Sequence, residues 1–263
     1  MKGLERVMEH DDKSAILIER DENIGWITLN RPGQINAIND AIRHGFPKAI
    51  AQLDADPSIK VIVVRSSGDR GFCVGADIKE KRPTEDAIDV RQRMEATRWI
   101  ESIDNVQKPV IAAIHGYCLG GGLELAMACD IRFAAPSATF ALPEVGLGLI
   151  PGGGGTQRIT RLIGLSRAMD FLLSGERISA VDAKHIGLIT RISGENEALL
   201  EDVRSFAQHI ATKPARALIY AKKALKIAGD TDLTTGLDTE LDLFALLAVT
   251  KERKAAALAF ENK

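Results

Sequence analysis

Three consecutive glycines, Gly120 to Gly122, separate a β-branched apolar run at Val110–Ile114 from a segment of helix formers, Leu123 to Cys129. Following Pro109, the first run predicts a short buried strand. The second, LELAMAC, predicts a helix that opens at the glycines. Glycine is entropically costly in regular structure, so a triplet implies a sharp turn or a backbone pressed close to another group. Strand, turn and helix in this order leave the first N–H groups of the helix without internal acceptors. Their partial positive charge suits an oxygen on which negative charge develops during a reaction.

Glu124 falls in the first turn of that helix. It could do no more than complement the helix dipole, worth about 0.3–1 kcal/mol. Yet LELAMAC is apolar on nearly every side, and an ionisable group in a buried helix needs a partner or a purpose. Glu144 raises the same question, as the only charged residue between Arg132 and Arg158. Two carboxyls in apolar, glycine-flanked settings fit an acid–base pair, while spacing alone leaves open whether they meet.

The rest of the chain predicts alternating strands and helices. Ser14 to Glu19 and Ile24 to Leu29 predict a hairpin across a turn-like RDEN. Apolar residues at Ile42, Phe46, Ile50 and Leu53 predict an amphipathic helix from Asn39 to Leu53, with Pro47 near an end or at a kink. KVIVVR, Lys60 to Arg65, predicts a buried strand. This alternation points to α/β architecture with right-handed crossovers. Lys81 to Ser102 reads as a solvated helix or flap, its arginines interleaved with Glu95 and Glu101. Helices are predicted at Ser166–Leu173, Ser179–Lys184, Glu201–Ala211, Pro214–Ala228 and Thr234–Leu258, so the C-terminal third is mostly helical.

Composition narrows the function classes. A chain of 263 residues can bury a sizeable core, as one domain or a domain plus a tail. A formal net charge of -2 gives no reason to expect nucleic acid or an anionic membrane as partner. The N-terminal MKGLERVMEHDDK is too charged for a signal peptide, and no apolar run approaches the roughly 18 residues that span a bilayer. Cys73, Cys118 and Cys129 lack metal-like spacing and read as reduced core residues, which points to the cytoplasm. The histidines make no ligand cluster, so no metal is expected, and His115 reads as a loop histidine with a satisfied hydrogen bond. Pro151 to Thr156 looks like a phosphate loop but lacks the G-K-[ST] ending; a turn that lets backbone approach substrate suits it better.

IAAIHGYCLGGGLELAMACDI resembles the signature of the crotonase (enoyl-CoA hydratase/isomerase) superfamily. FCVGADIKE at Phe72–Glu80 and LPEVGLGLIPGGGGTQR at Leu142–Arg158 resemble its upstream and downstream elements, in family order. The resemblance implies an α/β spiral of ββα repeats with a helical C-terminal trimerisation region, hence a core over 1–200 and a helical region over 201–263. It implies an acyl-CoA substrate and hydration of a 2-enoyl-CoA double bond in fatty acid β-oxidation, with no cofactor beyond the coenzyme A that the substrate carries. Glu124 and Glu144 would be the catalytic pair, and the Ala76 and Gly121 N–H groups the oxyanion hole. The Gly152 backbone would position the water, while Val74, Asp77, Ile78 and Lys79 would run along the nucleotide end of the CoA. Homotrimers that pair into hexamers are implied as well. Many members continue beyond the position of Lys263 with a basic segment that holds the CoA phosphates, which leaves that contact open.

The resemblance also frames the alternatives. Isomerases usually keep only one of the two glutamates, and carnitinyl-CoA dehydratase-like members tend to carry an acidic residue where this chain has Gly152. An RNA-binding or non-catalytic homologue is a third reading, against which stand both retained glutamates and the acidic residues that interrupt the arginines near Arg91–Arg98.

Overall fold

The computed structural model describes residues 14–80 and 84–261. Among these, the strands are Ile16–Asp21 (β1), Ile24–Leu29 (β2), Val61–Ser66 (β3), Val110–Ile114 (β4), Tyr117–Leu119 (β5), Ile131–Ala134 (β6), Thr139–Ala141 (β7), Ile178–Ser179 (β8) and Arg191–Ile192 (β9). β1 and β2 form the expected hairpin, turning through Glu22 and Asn23. From β2 onward the main sheet is parallel, in the order β1-β2-β3-β4-β6-β9. Every residue of β4 is buried, as a strand covered on both faces requires.

A second sheet, β5-β7-β8, stands beside the first. The chain leaves each main strand and crosses at once to this second layer: β4 runs into β5 and β6 into β7. After β3 the segment around Cys73 does the same, bridging Cys118 of β5 in parallel. Each turn of the resulting spiral lays an extended segment beside the last in both layers. Residues near 73–76, 117–122 and 139–144 therefore become spatial neighbours although they are far apart in sequence.

The helices are Asp40–Ala55 (α1), Ala87–Thr97 (α2), Gly121–Ala128 (α3), Gly155–Ile163 (α4), Leu165–Ser174 (α5), Ala180–His185 (α6), Leu199–Ala211 (α7), Ala215–Ala228 (α8), Leu233–Ala248 (α9) and Lys251–Glu261 (α10). Pro47 sits in the middle of α1 rather than at an end. A proline there costs about 3 kcal/mol. The buried Ile42, Phe46, Ile50 and Leu53 offset this, at about 1.5–3 kcal/mol each. The charged segment forms α2, with a capping box between Asp86 and Asp89; residues 81–83 lie outside the described residues. The helix expected over Thr234–Leu258 is two, because Thr250 restarts the chain as α10 by accepting the Arg253 N–H at 3.2 Å. α7 lays Leu199, Val203, Ala207 and Ala211 on a sheet face formed by Trp26, Val63, Ile111 and Phe133. The 200/201 division falls inside that helix. No helix of the described residues is long and apolar enough to cross a membrane.

Candidate active site

Gly120 ends β5 with φ 52 and ψ -127, a backbone conformation that a residue with a side chain rarely adopts. From there α3 starts at Gly121, earlier than its apolar residues alone suggest. Gly122 lies against the Cys73 carbonyl with no space for a Cβ, so α3 seats directly on the segment that follows β3. Glu124 lies one turn into α3 and is only 4% exposed. Its Oε1 accepts the Gly153 N–H at 2.7 Å and the Gly155 N–H at 2.8 Å. Gly155 is the first residue of α4, so the carboxyl caps that helix. Burial raises the Glu124 pKa; the two N–H groups and the Arg158 charge oppose it without cancelling it.

Glu144 belongs to the 3-10 turn Pro143–Leu147 that follows β7. Its Oε1 would lie 2.8 Å from a Cβ on Gly120, while Glu124 Oε2 would lie 3.8 Å from one on Gly121. Two adjacent glycines thus touch both carboxyls. Glu144 Oε2 is buried without a hydrogen-bond partner among the described residues. Burial raises the Glu144 carboxyl as well, and the charge of Glu124 adds to the effect. Two carboxyls that feel one another in this way hold a proton between them more readily than either would alone.

Both glutamates line a cavity of about 470 Å³, together with Ala76, Gly121, Gly152 and Gly153. Its apolar wall comes from Ile38, Met94, Trp99, Ile100, Leu149 and Ile150. Ala76 pairs with Ile38 through the Gly75 carbonyl and the Asp77 N–H, at 2.8 and 2.9 Å, which turns the Ala76 N–H to the other side. The Gly121 N stands 3.1 Å from where a Cβ on Gly75 would be. Neither the Ala76 nor the Gly121 N–H has an acceptor among the described residues. Val74, Asp77, Ile78 and Lys79 are outside the cavity lining. Asp77 pairs with Arg31 at 2.9 Å, whose hydrogen bond holds its carboxyl below the usual range, and Ile78 is 88% exposed.

Sequence reasoning singled out the cavity's acids and amides but missed Gly153 and Gly155 as donors to Glu124. The signal was present, a glycine run opening a helix, the same logic already applied to Gly121. The three cysteines are free and buried, with the thiols of Cys73 and Cys129 pushed up to about 12 by burial. His115 has the expected hydrogen bond, to the Gly68 backbone, while its Nε2 is buried without a partner among the described residues, and burial lowers the ring's pKa.

Two shielded carboxyls beside two main-chain amides that have no acceptor among the described residues, on a spiral of two sheets, make an arrangement suited to acid–base chemistry on a carbonyl compound. Residues 19–263 match the family model described as Enoyl-CoA hydratase/isomerase. The chain is 40% identical over 249 residues to a "Probable enoyl-CoA hydratase" of Mycobacterium bovis, covering 95% of each. It is 36% identical over 249 residues to a crotonyl-CoA hydratase of Syntrophomonas wolfei, covering 94% of this chain and 95% of that one. A crystal structure of enoyl-CoA hydratase from Bacillus anthracis matches with a TM-score of 0.89 and 36% identity, over 94% of this chain and 96% of that chain. The chain belongs to the enoyl-CoA hydratase/isomerase family and has the crotonase fold.

Proposed function

We propose that this enzyme adds water across the 2,3 double bond of 2-enoyl-CoA thioesters, reversibly giving 3-hydroxyacyl-CoA. One observation carries the reading: Glu124 and Glu144 line the same cavity as the Ala76 and Gly121 amides. The thioester oxygen accepts from those two N–H groups, which draw charge onto it as the enolate forms. One such donor is worth about 2.7–4 kcal/mol. A water held between the glutamates and the Gly152 backbone loses a proton to the carboxyl pair as its oxygen bonds to the β-carbon. A proton from the pair then reaches the α-carbon, so the two carboxyls end in the state in which they began. The pair works as a unit, and no step calls for a metal or redox group.

The presence of both acids favours hydration over isomerisation. Gly152 carries no carboxyl and favours an ordinary hydratase over a carnitinyl-CoA dehydratase. Val74, Asp77, Ile78 and Lys79 lead outward from Ala76 and are the segment along which the CoA nucleotide lies; the bare Ile78 side chain supports that role. Leu233, Leu237, Leu241 and Phe244 form an exposed apolar stripe on α9, which supports assembly as homotrimers paired into hexamers. The enzyme serves fatty acid breakdown in the cytoplasm.

The test is incubation with crotonyl-CoA and longer 2-enoyl-CoAs, following loss of the conjugated thioester absorbance. Hydration that collapses in both Glu124→Gln and Glu144→Gln supports the reading; a folded wild type inert toward every chain length sinks it.

A further inference from the structure

Arg158 lies in the first turns of α4 and touches neither the proposed water nor the thioester. Its side chain is 18% exposed and reaches back over the glycine turn that precedes its own helix. Nη1 donates to the Gly153 carbonyl at 2.9 Å, and Nη2 donates to Asp104 at 2.6 Å. Gly153 is also the residue whose N–H donates to Glu124 Oε1. The guanidinium and the carboxyl therefore hold opposite ends of one residue.

The turn needs such a hold. Gly152 to Gly155 are consecutive glycines, and Gly154 stands at φ 94. Peptide planes in such a run rotate at little steric cost, so nothing in the local sequence keeps the N–H groups aimed at Glu124. A Cβ on Gly154 would collide with Arg158 Nη1, so the guanidinium is pressed directly against the turn. Arg158 is itself fixed from outside. Asp104 sits in the 3-10 turn Ile100–Asn105, and Lys226 of α8 donates to its carbonyl at 3.2 Å.

We propose that Arg158 is a positioning residue. By holding the Gly153 carbonyl, it keeps the Gly153 and Gly155 N–H groups on Glu124 Oε1 and so leaves Oε2 as the oxygen that carries the proton at the cavity. Two donor hydrogens already face Oε1, and a proton placed there would meet both of them. The charged groups that face Glu124 are Glu144 from the turn after β7, Glu101 from the Ile100–Asn105 turn, and Arg158 from α4. Asp104 engages Arg158 through Nη2, not through the Nη1 that holds the Gly153 carbonyl. The kinetic part of this role rests on the hydratase reading of Glu124; the geometric part does not.

Arg158→Ala, Arg158→Lys and Asp104→Asn separate positioning from a merely structural bracket. In Arg158→Ala, kcat for crotonyl-CoA falls on the order of 10²-fold while KM stays nearly unchanged. The limb of the pH–kcat profile set by Glu124 moves to higher pH, because the lost cation favoured the carboxylate. Millimolar guanidinium restores part of the rate and equal sodium chloride does not. Arg158→Lys, which can still reach the Gly153 carbonyl, and Asp104→Asn, which only loosens Arg158, lose less in the same direction. A crystal structure of Arg158→Ala lacks at least one of the two N–H contacts to Oε1. The proposal is overturned if both contacts persist in that crystal structure, or if kcat and the pH limb are unmoved while only thermal stability drops. Should Arg158→Ala fail to fold, wild-type rates and unmoved limbs in the other two variants overturn it equally. A wild type with no hydratase activity would sink the reading of the site, and the crystal structure would then decide the positioning role alone.

Discussion

Glu124→Gln should slow the enzyme and stabilise the protein at the same time. The carboxyl is 4% exposed, and burial is the largest influence on it, raising its pKa above 4.5. Glutamine keeps an oxygen for the Gly153 and Gly155 N–H groups. Those bonds lose charge assistance, roughly 1 kcal/mol each, and the attraction to Arg158 is lost too. The desolvation penalty of the carboxylate, several kcal/mol, disappears in exchange. Since the pKa is raised, burial exceeds the sum of the opposing contacts, and the net effect of the substitution at neutral pH is a gain in stability. Each kcal/mol gained raises the Tm of a chain of this length by roughly 2–4 °C.

The sign has a definite pH dependence. A group whose folded pKa is raised contributes its stability fully below the unfolded value and loses it as pH rises through the folded one. The glutamine variant does not titrate, so its advantage over wild type should be near zero at about pH 4 and grow as pH rises through the raised folded pKa, levelling off above it. Thermal unfolding of both proteins across this range measures it. Hydration of crotonyl-CoA should fall by about 10²–10⁴-fold. A variant that is less stable than wild type at pH 8 refutes the dominance of burial, and one that keeps its rate refutes the acid–base role.

Glu144→Gln should cost a comparable factor in kcat with a smaller gain in Tm, because that side chain is only half-buried. Combined with Glu124→Gln it should remove little further rate, since the pair acts as a unit. Gly120→Ala should lower Tm and rate together: the φ of 52 resists a side chain by about 1–3 kcal/mol. Its Cβ would also stand 2.8 Å from Glu144 Oε1, which calorimetry and the absorbance assay would both register. Lys222→Met should destabilise without changing KM, because Lys222 pairs at 2.7 Å with Asp130 and also donates to the Lys108 carbonyl. Breaking a fully buried pair costs about 3–5 kcal/mol, and the partial exposure of Asp130 places this case below that range in urea unfolding. Leu241→Asp on the bare face of α9 should reduce the sedimenting mass while leaving each chain folded by circular dichroism.

The β-branched runs were legible because a strand buried on both faces reads as one continuous apolar string, as β3 and β4 do. Glu124 and Glu144 were legible as odd charges in apolar settings. Their meeting was not, because it depends on the spiral that carries the turn after β7 to the side of Gly120. The apolar wall was hidden for a different reason. Met94, Trp99, Ile100, Leu149 and Ile150 look like ordinary core or surface residues, and only the empty space between their elements gives them a role. Pro47 is held inside α1 rather than at an end because local propensity is weaker than the burial of Ile42, Phe46, Ile50 and Leu53. The break at Thr250 is carried by one side-chain contact that leucine and alanine periodicity cannot register.

The site draws its four groups from three successive spiral turns: Ala76 from the first, Gly121 and Glu124 from the second, Glu144 from the third. Neighbouring extended segments lie about 4.8 Å apart, so the sheet itself sets the spacing of the groups before any side chain is chosen. The proposed oxygen-binding donors are main-chain atoms and inherit that spacing directly. The acids stand on a helix and a turn and must be held separately: Glu124 by the N–H pair behind it, Glu144 by packing against Gly120. Substitutions that respect volume at Cys73 or Cys118, inside the sheet, should therefore leave the donors in register, whereas changes in the Gly152–Gly155 turn should disturb proton transfer first. In the proposed mechanism, carbonyl binding depends on the part of the fold hardest to deform, and proton transfer on the part that needs a clamp.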